Sequence, residues 1–473
     1  MQQKLLFRKL WKKDTSMFFR SEKIHFIGIG GAGMCPIAEF MHANNHIVSG
    51  SDLIKTKATE RLEALGIPIQ YNHTPEKIRS AELIVYSSAV KSENYERIYA
   101  AENGIRQLKR AKFLGDIMRN LFSVAVAGTH GKTTTSSLIG SILNFSKMDP
   151  TVIIGGAFKE SESNVIIGKG NVMVVEADEY DRSLLSMYPS IAVITNIEAE
   201  HLDIYDGLSD IKKTFVEFVN RIPFNGMAVL CVDDVVTEQI INQIEGRIIT
   251  YGLSKKADYR AENIRSECRS SKFELIKNNI SMGTVSIPLI GDHNIRNSLA
   301  AITVASEMNI SFPVIQEGLN RYQGMKRRFE IVGNVENITV ADDYAHHPTE
   351  IEATLTAAKN AGYGRVIAVF QPHLYSRTRD FLNDFAKSLM KSDIVVVTDI
   401  YKAREEPISG VESINIVKIM NENGYRNALY IDDMYNISDK LAPMVLPNDI
   451  IILMGAGNIW KIGNKLLKRI RNV

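Results

Sequence analysis

Short runs of apolar residues, each closed by polar residues, recur from about residue 23 to about residue 454 of the chain. The runs Phe122–Ala127, 172–175 and Ile191–Ile194 lie in the middle of the chain, and each has the length of a buried strand. In the last third of the chain, further runs predict parallel core strands at 338–341, 365–370, 393–398, 428–431 and 449–454. Strands that alternate in this way with helical segments predict an α/β fold.

The composition is that of ordinary globular material, with 45% hydrophobic and 23% charged residues. The balance of 56 basic and 54 acidic side chains gives a net charge of +2, so no global field favours nucleic acid or an anionic membrane. No apolar run approaches the roughly 18 residues of a membrane span, and the N-terminus lacks the apolar core of a signal peptide. Cys35, Cys231 and Cys268 show no metal-ligand spacing. We therefore predict a cytoplasmic protein without a nucleic-acid partner or an integral membrane segment.

Residues 1–22 carry six Lys and Arg side chains against Asp14 and Glu22, with Leu, Phe and Trp interleaved. The pattern could form a basic amphipathic helix at a membrane surface. A poorly ordered extension, or a functional start near Met17, is at least as good an interpretation of a terminal segment.

A glycine-rich turn follows the strand Phe122–Ala127 and consists of Gly128, Thr129, His130, Gly131, Lys132, Thr133 and Thr134. Such a turn before a helix aims backbone N–H groups at one point, where the helix dipole adds positive potential. Lys132 can reach the β- and γ-phosphates of a nucleoside triphosphate, and the Thr133 hydroxyl can hold Mg²⁺. An ordinary strand-to-helix turn is the alternative, because Val126 stands where the standard P-loop pattern has a glycine.

A second glycine-rich turn follows the strand Lys23–Ile27 and contains Gly28, Gly30, Gly31, Ala32 and Gly33. It fits the dinucleotide pattern G-x-G-x-x-G, and Asp52 follows the next apolar stretch, 46–48. The glycines themselves require only the close approach of a pyrophosphate, which both NAD and a UDP-sugar carry. Both ligands are therefore open at this point.

Polar residues close two of the central strands. Glu176 ends the run 172–175, and His201 lies in the polar segment after Ile191–Ile194. Because ligands bind at the carboxyl edge of open α/β sheets, an acid and a histidine there suggest two metal ions. A loop or helix-capping histidine is the alternative for His201.

Polar motifs are denser still in the last third, where DDYAHHPTE contains Asp343, His346 and His347, and QPHLYSRTR contains Arg377 and Arg379. A zinc site at the paired histidines is an alternative with few supporting ligands. Before these motifs, residues 292–297 form a polar start to a helix predicted over 298–305, with Asp292 or Asn294 as its N-cap. Arg328 lies at a basic junction between domains, where it could meet a γ-phosphate or be a solvated linker residue.

The motifs GIGGAGM, GTHGKTTT, DHNIRN, DDYAHHPTEI and QPHLYSRT occur in this order, and together they resemble the Mur ligase family over residues 24 to about 460. The resemblance implies ATP and Mg²⁺ as cofactors, with Thr133, Glu176 and His201 as metal ligands. It implies that Asn294, with His293 second, faces the adenine and that Asp343 lies near the ribose of ATP. Lys132 and Arg328 would serve phosphoryl transfer, and His346 or His347 would handle the proton of an amine.

The resemblance also implies the substrates UDP-N-acetylmuramate and L-alanine. Gly28, Gly30, Gly31, Ala32, Gly33, His73 and Ser88 would contact the nucleotide sugar, and Arg377 and Arg379 the amino acid. Many members carry a carbamylated lysine about fourteen residues after the metal histidine, whereas this chain has Thr214, Phe215 and Val216 there. That departure is expected of the branch that adds L-alanine. The alternatives are a ligase for recycled murein tripeptide, an NAD-dependent oxidoreductase and a non-catalytic nucleotide-binding module.

Together these observations predict three domains after the basic extension of residues 1–22. We predict a Rossmann-like, UDP-sugar-binding domain over 23–110, joined through a polar connection over 105–120 to the next domain. A P-loop-type central ATPase domain follows over 111–325. A Rossmann-like domain that binds the amino acid completes the chain over 326–473.

Overall fold

The structure is a computed structural model that describes residues 22–74, 78–161, 163–201, 204–267, 269–403 and 405–472. The predicted extension therefore lies outside the described residues, apart from Glu22. The chain divides into two compact units. One comprises the described residues up to Arg260 with Ile276–Ile280 and Asn297–Arg321, and the other comprises Ala261–Leu275, Ser281–Arg296 and the described residues from Tyr322 onwards.

The first sheet is parallel, with strand order β3-β2-β1-β4-β5. Its strands are β1 (Lys23–Ile27), β2 (Ile47–Ser51), β3 (Ile69–Gln70), β4 (Leu83–Tyr86) and β5 (Arg106–Lys109). Its helices are α1 (Cys35–Ala43), α2 (Lys57–Ala64), α3 (Tyr95–Glu102) and α4 (Arg110–Met118). The parallel sheet with helical crossovers confirms the Rossmann-like prediction.

The predicted polar connection over 105–120 is wrong, because this segment forms β5 and α4. In α4, Lys112 and Asp116 lie on the exposed side of the helix, whereas Phe113, Leu114, Ile117 and Met118 are buried in the core. The helical period of these apolar residues was hidden among the charges of the segment.

The central sheet has the strand order β15-β14-β13-β12-β11-β10-β6-β9-β7-β8. Its strands are β6 (Phe122–Ala127), β7 (Thr151–Ile153), β8 (Val165–Ile166), β9 (Val172–Glu176), β10 (Ile191–Ile194), β11 (Met227–Cys231), β12 (Arg247–Gly252), β13 (Tyr259–Glu267), β14 (Ser270–Lys277) and β15 (Ile280–Ile287). The helices in this part are α5 (Lys132–Phe145), α6 (Leu208–Val219), α7 (Val235–Ile240), α8 (Asp292–Glu307) and α9 (Phe312–Asn320). The three strands predicted here are confirmed as β6, β9 and β10, and β6 pairs in parallel with the other two.

Helix α8 begins at Asp292, six residues before the predicted start, so the prediction of Asp292 or Asn294 as an N-cap is wrong. Gly291 makes the turn before the helix with a φ of +89°, a conformation that glycine adopts at no steric cost. Its carbonyl accepts hydrogen bonds from the N–H groups of Asn294 and Ile295. Both polar residues therefore lie inside the first turn of the helix.

The last sheet has the strand order β16-β17-β21-β18-β19-β20 and is parallel except for β16. Its strands are β16 (Glu330–Val335), β17 (Ile338–Asp343), β18 (Val366–Phe370), β19 (Ile394–Val397), β20 (Ala428–Tyr430) and β21 (Ile450–Met454). Its helices are α10 (Pro348–Asn360), α11 (Tyr375–Asp380), α12 (Leu382–Leu389), α13 (Ile414–Glu422), α14 (Ile437–Leu441) and α15 (Gly463–Arg471). The predicted strands are confirmed as β17 to β21, whereas β16 is an edge strand of half-exposed residues that gave no apolar run.

Short 3₁₀ segments complete the description at Ile78–Ser80, Tyr180–Ser186, Ile241–Gln243, Met434–Asn436, Ala442–Met444 and Ile459–Ile462. Across the described residues, no helix combines the length and the apolar character that crossing a bilayer demands.

Candidate active site

The turn between β6 and α5 holds the predicted phosphate-binding residues. Gly128 has a φ of +134° and Gly131 a φ of +83°, so both glycines occupy conformations that other residues rarely adopt. A Cβ atom on Gly128 would lie 2.1 Å from Thr195 Oγ1, and one on Gly131 would lie 2.5 Å from Asn297 Oδ1. Both glycines are therefore required by packing within the protein, whether or not a phosphate is bound.

The loop after β10 fastens this turn from the neighbouring strand. The Asn196 carbonyl accepts a hydrogen bond from Thr129 N–H (3.1 Å), and Asn196 Oδ1 accepts one from His130 N–H (2.9 Å). Thr129 Oγ1 in turn accepts a hydrogen bond from Glu198 N–H (2.8 Å). These bonds leave the turn rigid and already in shape before any ligand arrives.

Lys132 is folded back across the turn. Its Nζ donates to the carbonyls of Gly128 (2.5 Å) and Thr129 (3.0 Å) and lies 3.0 Å from Glu179 Oε2. Burial works to lower the pKa of Lys132, but Glu179, Asp178 and Glu176 together raise it above its ordinary value. The ammonium group is therefore held in its charged form.

More carboxylates than cations surround Lys132, so this part of the site carries an excess of negative charge. Burial raises the pKa of Glu179, and the Asp178 carboxylate adds to this effect while Lys132 opposes it. Asp178, Glu179 and His201 each offer one ligand atom, and these atoms lie within 4.8 Å of one another. Carboxylate oxygens with an imidazole suit a divalent cation, and such a cation would relieve the excess negative charge.

The sequence did not predict Asp178 and Glu179 as metal ligands. His201 Nε2 lies 3.8 Å from Glu179 Oε1, and the residue has a φ of +55°, which is unusual for a non-glycine residue. Glu176 lies at the end of β9, and its negative charge helps to raise the pKa of Lys132. Thr133 is buried in the first turn of α5. The structure thus gathers Lys132, Glu176 and His201 around one strand edge, and their metal-binding roles remain predictions.

The first glycine turn lies between β1 and α1. Gly28 has a φ of +75°, its N–H and that of Ile29 donate to the Ser51 carbonyl, and Gly31 N–H donates to the Gly28 carbonyl. Gly30 N–H donates to Asp52 Oδ2 at 2.8 Å. The acid that resembles the ribose ligand of an NAD domain is therefore engaged by the turn itself.

His73 belongs to a buried polar network that the sequence did not reveal. Its Nδ1 lies 2.7 Å from Glu96 Oε2, and Glu96, which is fully buried, also accepts a hydrogen bond from Ser51 (2.6 Å). The ring of His25 lies 3.1 Å from the other Glu96 oxygen. Burial alone would raise the pKa of Glu96, but the hydrogen bonds from His25, Ser51 and His73 lower it. The carboxylate thus fixes the orientation of the half-buried His73.

Ser88, also predicted to contact the nucleotide sugar, is exposed. Its neighbour Ser87 is the serine that lies beside the glycine turn, with its Oγ 3.9 Å from a Cβ built on Gly28. The role of Ser88 remains a prediction.

In the second unit, two buried acids end β17. Asp343 accepts hydrogen bonds from the N–H groups of Phe329 and Ala345, both at 2.8 Å, and burial raises its pKa to about 6. Burial raises the pKa of Asp342 to about 7, although Arg327 opposes the shift from 3.2 Å. Asp343 thus shapes the turn that follows it, and its predicted contact with the ribose remains a prediction.

The paired histidines have different environments. His346 is half-buried, with Nδ1 2.9 Å from the Tyr344 carbonyl and 3.2 Å from Glu350 Oε2. His347 is buried, immediately precedes α10 and packs edge-on against Phe381 at 4.8 Å between centroids. His346 is therefore the more accessible of the two for handling a proton.

Three further predicted residues belong to the same unit as this turn. Arg328 Nη1 is 3.9 Å from Glu350 Oε1, and its guanidinium lies 5.5 Å from the centre of the Tyr344 ring. Burial lowers the pKa of His293 to about 4, so this side chain is neutral. Asn294 is buried, and its side-chain amide donates to the Ile290 carbonyl at 2.9 Å.

The second arginine motif lies on α11. Arg377 is half-buried, whereas Arg379 is exposed and pairs with Asp380 at 2.7 Å. His373, which was not predicted as a site residue, stacks on Tyr401 at 5.8 Å and lies 6.2 Å from the ring of His346. A row of aromatic rings therefore leads to His346, and only the fold brings its members together.

A preformed phosphate loop whose lysine is surrounded by acids is suited to phosphoryl transfer from a nucleoside triphosphate. Models of three domains of one family match the chain in succession: the Mur ligase family catalytic domain over residues 23–121, the Mur ligase middle domain over 126–305 and the Mur ligase glutamate ligase domain over 327–457. The chain belongs to the Mur ligase family, and it is an ATP-dependent ligase that forms carbon–nitrogen bonds.

Individual relatives extend over nearly the whole chain. The chain is 44% identical over 456 residues to the UDP-N-acetylmuramate–L-alanine ligase of Salinibacter ruber, and the match covers 96% of each protein. It is 44% identical to the ligase of the same name from Geotalea uraniireducens, with coverage of 96% and 99%. The three-domain α/β fold predicted from the sequence is confirmed.

Two solved structures show the same fold. The UDP-N-acetylmuramate-alanine ligase of Thermotoga maritima matches with a TM-score of 0.79 and 28% identity, covering 95% of this chain and 99% of that one. A murein peptide ligase of Psychrobacter arcticus matches with a TM-score of 0.66 and 25% identity, covering 96% and 99%.

Proposed function

We propose that this protein joins L-alanine to the lactyl carboxylate of UDP-N-acetylmuramate, with conversion of ATP to ADP and phosphate, in the synthesis of peptidoglycan precursors. The observation that carries the substrate assignment is the 44% identity, over 96% of the chain, to a relative named for this reaction. The absence of a lysine at residues 214–216 agrees with the L-alanine-adding branch. A cytoplasmic location, where ATP is available, is part of the same proposal.

The phosphate loop supplies the phosphoryl-transfer half of the reaction. In this proposal the N–H groups of residues 128–134 and the Lys132 ammonium hold the phosphates of ATP. Thr133, Glu176 and His201 would hold Mg²⁺, and Asp178 and Glu179 stand close enough to His201 to share that task. The bound ions would neutralise charge on the transferred phosphoryl group. If the Glu179 carboxylate bound a cation instead of Lys132, the lysine ammonium would be free to bind the phosphates.

The chemistry requires two bond-forming steps. An oxygen of the lactyl carboxylate attacks the γ-phosphorus, so ADP leaves and an acyl phosphate forms. The amine of L-alanine then attacks the acyl carbon, phosphate leaves, and the amine loses a proton to a base. His346 is the better placed candidate for that base, since His347 is buried against Phe381. Arg377 and Arg379 would bind the carboxylate of the amino acid.

The adenine and ribose contacts form the rest of the proposal. Asn294 and His293 lie in the first turn of α8, one turn before Asn297, whose Oδ1 accepts a hydrogen bond from the hydroxyl of Thr135 in α5. Asp343 would bind the ribose, and Arg328 would approach the γ-phosphate.

Phosphate release from ATP with UDP-N-acetylmuramate, measured across the amino acids and murein tripeptide, tests this function. We expect L-alanine to give the highest kcat/KM. Preference for the tripeptide would replace the proposal with the recycling reaction. Binding of NAD⁺ without any phosphate release would favour the oxidoreductase interpretation.

A further inference from the structure

Tyr205 connects the two loops that carry the candidate cation ligands. It is buried in the core, and its hydroxyl donates a hydrogen bond of 2.6 Å to the carbonyl of Glu179, in the loop after β9. Its own N–H donates at 3.0 Å to the carbonyl of His201, in the loop after β10. One residue therefore holds the main chain of Glu179 and of His201, although the two belong to different loops.

The backbone next to these bonds is strained in both loops. Asp181 has a φ of +54°, Arg182 a φ of +51° and His201 a φ of +55°. Non-glycine residues rarely adopt this conformation, and it persists only where the surrounding contacts determine it. Arg182 N–H donates to the same Glu179 carbonyl at 3.1 Å, so the strained turn and Tyr205 share one acceptor. The main-chain positions of Glu179 and His201 thus depend on contacts that neighbouring residues supply.

The ring of Tyr205 is in turn held by Arg182, whose guanidinium lies 4.8 Å from the ring centre. This guanidinium donates to both carboxylate oxygens of Asp210, at 3.2 Å and 2.6 Å, and to the hydroxyl of Thr214 at 2.9 Å. Asp210 and Thr214 lie on α6, and a bidentate pair of this kind has a specific geometry. The arginine therefore ties the ring of Tyr205 to a helix, and none of these contacts needs a bound ion.

The candidate ligand atoms lie close enough together that small shifts matter. Glu179 Oε1 lies 3.8 Å from His201 Nε2, and the ligand atoms of both residues and of Asp178 lie within 4.8 Å of one another. Mg²⁺ takes its ligands at about 2.0–2.1 Å in octahedral geometry, which places neighbouring ligand atoms about 3 Å apart. Such a set of ligands functions only when it is held within about 0.5 Å of its geometry. The two hydrogen bonds of Tyr205 therefore act on the separation that decides the affinity for a cation.

We propose that Tyr205 is a positioning residue, which sets the separation of Glu179 and His201 for a divalent cation. This assignment rests on the proposed function, because it explains how the same candidate cation site is held in shape. Tyr205 acts through two main-chain carbonyls, so the carboxylate of Glu179 and the imidazole of His201 take no part in its hydrogen bonds. Its hydroxyl links the two loops before any ion or nucleotide arrives.

Binding of Mn²⁺ alone to the full chain, followed by loss of the electron paramagnetic resonance signal of the free ion, tests the assignment without turnover. We expect Tyr205→Phe, which removes only the hydroxyl, to raise the Kd for Mn²⁺ by about tenfold or more, the usual effect of losing a group that orients a metal ligand. In a chain that already carries Glu179→Gln, Tyr205→Phe should change the Kd by less than about twofold, because the hydroxyl acts through Glu179.

Tyr259→Phe is the matched control. Tyr259 is also buried, its hydroxyl donates to Glu307 at 2.6 Å, and Lys277 Nζ lies 4.9 Å from the centre of its ring. This variant loses a buried hydroxyl with the same kind of surroundings, so it should lower the stability and leave the Kd for Mn²⁺ unchanged.

An unchanged Kd in Tyr205→Phe, or an equal rise in Tyr205→Phe and Tyr259→Phe, would overturn the assignment. A tenfold effect of Tyr205→Phe that persists in the Glu179→Gln chain would also overturn it, because the hydroxyl would then not act through Glu179. If the wild-type chain binds no Mn²⁺, the cation site of the proposed function fails, and this assignment fails with it. That outcome is distinct from a wild-type chain that binds Mn²⁺ and a Tyr205→Phe chain that binds it equally well, which refutes the role of Tyr205 alone.

Discussion

At the scale of one residue, Lys132 shows how the charges of the phosphate loop are compensated by the protein itself. Its ammonium forms a buried ion pair with Glu179, with side-chain exposures of 17% and 5%. A phosphate-loop lysine on an open surface could be removed at little cost in stability. Here, removal leaves a buried carboxylate without its partner, so activity and stability change together.

We predict that Lys132→Ala abolishes phosphate release and also lowers the free energy of unfolding by about 3–5 kcal/mol, the usual effect of breaking a buried pair. The variant Lys132→Ala with Glu179→Gln should recover most of that stability, because a neutral amide needs no counter-ion, and should stay inactive. Denaturant unfolding and phosphate release separate the two effects. Turnover in the double variant within about tenfold of wild type would refute the role of Lys132.

A second prediction at the residue scale concerns Asp342 and the dependence of stability on pH. Its pKa is raised to about 7 by burial, against the opposition of Arg327 and with support from Asp343 and Glu330. Between the unfolded value of about 4 and this folded value, the folded chain holds a proton that the unfolded chain has lost. Stability should therefore fall as pH rises through that window, by at most about 1.4 kcal/mol per pH unit for this group.

Asp342→Asn should remove this contribution, because an amide carries no titrating proton while its oxygen can still accept from Arg327. Unfolding free energies at pH 5 and pH 7 measure the effect. The variant should gain stability relative to wild type as the pH rises, whereas Asp343 continues to titrate in both chains. Parallel pH profiles for the two proteins would show that Asp342 is ionised throughout.

At the scale of elements, the chemistry lies where strands end. β6 lies between β10 and β9 and pairs in parallel with both, so the residues that follow the three strands meet at one edge, although β6 ends about 50 positions before β9 and about 70 before β10. This arrangement brings His201, from the loop after β10, to Asp178 and Glu179, from the loop after β9. The paired strands thus bring together potential ligand atoms for a cation that neither loop offers alone.

We predict that His201→Ala raises the Mg²⁺ concentration needed for half-maximal phosphate release by at least about tenfold, since one site loses a ligand. The KM for L-alanine should stay within about twofold. His42→Ala on α1, a half-buried histidine of the first domain, is the control and should leave the Mg²⁺ titration unchanged. An unaltered titration for His201→Ala would return this residue to a structural role.

At the scale of the whole molecule, the substrates of the proposed reaction divide along the chain. The first glycine turn and the phosphate loop belong to the unit that runs to Arg260. The turn with His346 and the segment with Arg377 belong to the unit that contains the residues from Tyr322 onwards. In the proposed reaction, the phosphate loop would serve acyl phosphate formation, and the segments with His346 and Arg377 would serve capture of the amine. The two half-reactions should therefore respond to different variants.

We predict that Arg377→Ala raises the KM for L-alanine by more than about tenfold and leaves the KM for ATP within about twofold, because only the amine step loses a contact. The Arg377→Ala variant should still form the acyl phosphate. We therefore expect it to scramble ¹⁸O between the bridging and non-bridging positions of ATP when UDP-N-acetylmuramate is present and L-alanine is absent. Arg426→Ala, an exposed arginine in the same unit, is the control. Equal effects on both KM values would place the amino acid on another turn.

The sequence by itself determined the elements whose signals are local. Apolar runs predicted β6, β9, β10 and the strands β17 to β21, because buried parallel strands require continuous apolar residues. The glycines of both turns and the polar motifs after the strands indicated where ligands bind, because they follow those runs directly. The family resemblance then supplied the reaction class, which the similarity to full-length relatives confirms.

The tertiary structure alone decided the contacts between distant segments. Glu96 reaches His73 and His25 across 23 and 71 positions, and Lys132 meets Glu179 across 47. Arg110 meets Gly33 from the start of α4, a helix that charged residues concealed in the sequence. A side chain's partner depends on which elements pack together, and local periodicity does not encode that choice. The pattern along the chain therefore determined where the candidate site residues lie, and the packing of the elements determined the partners that set their charge and orientation.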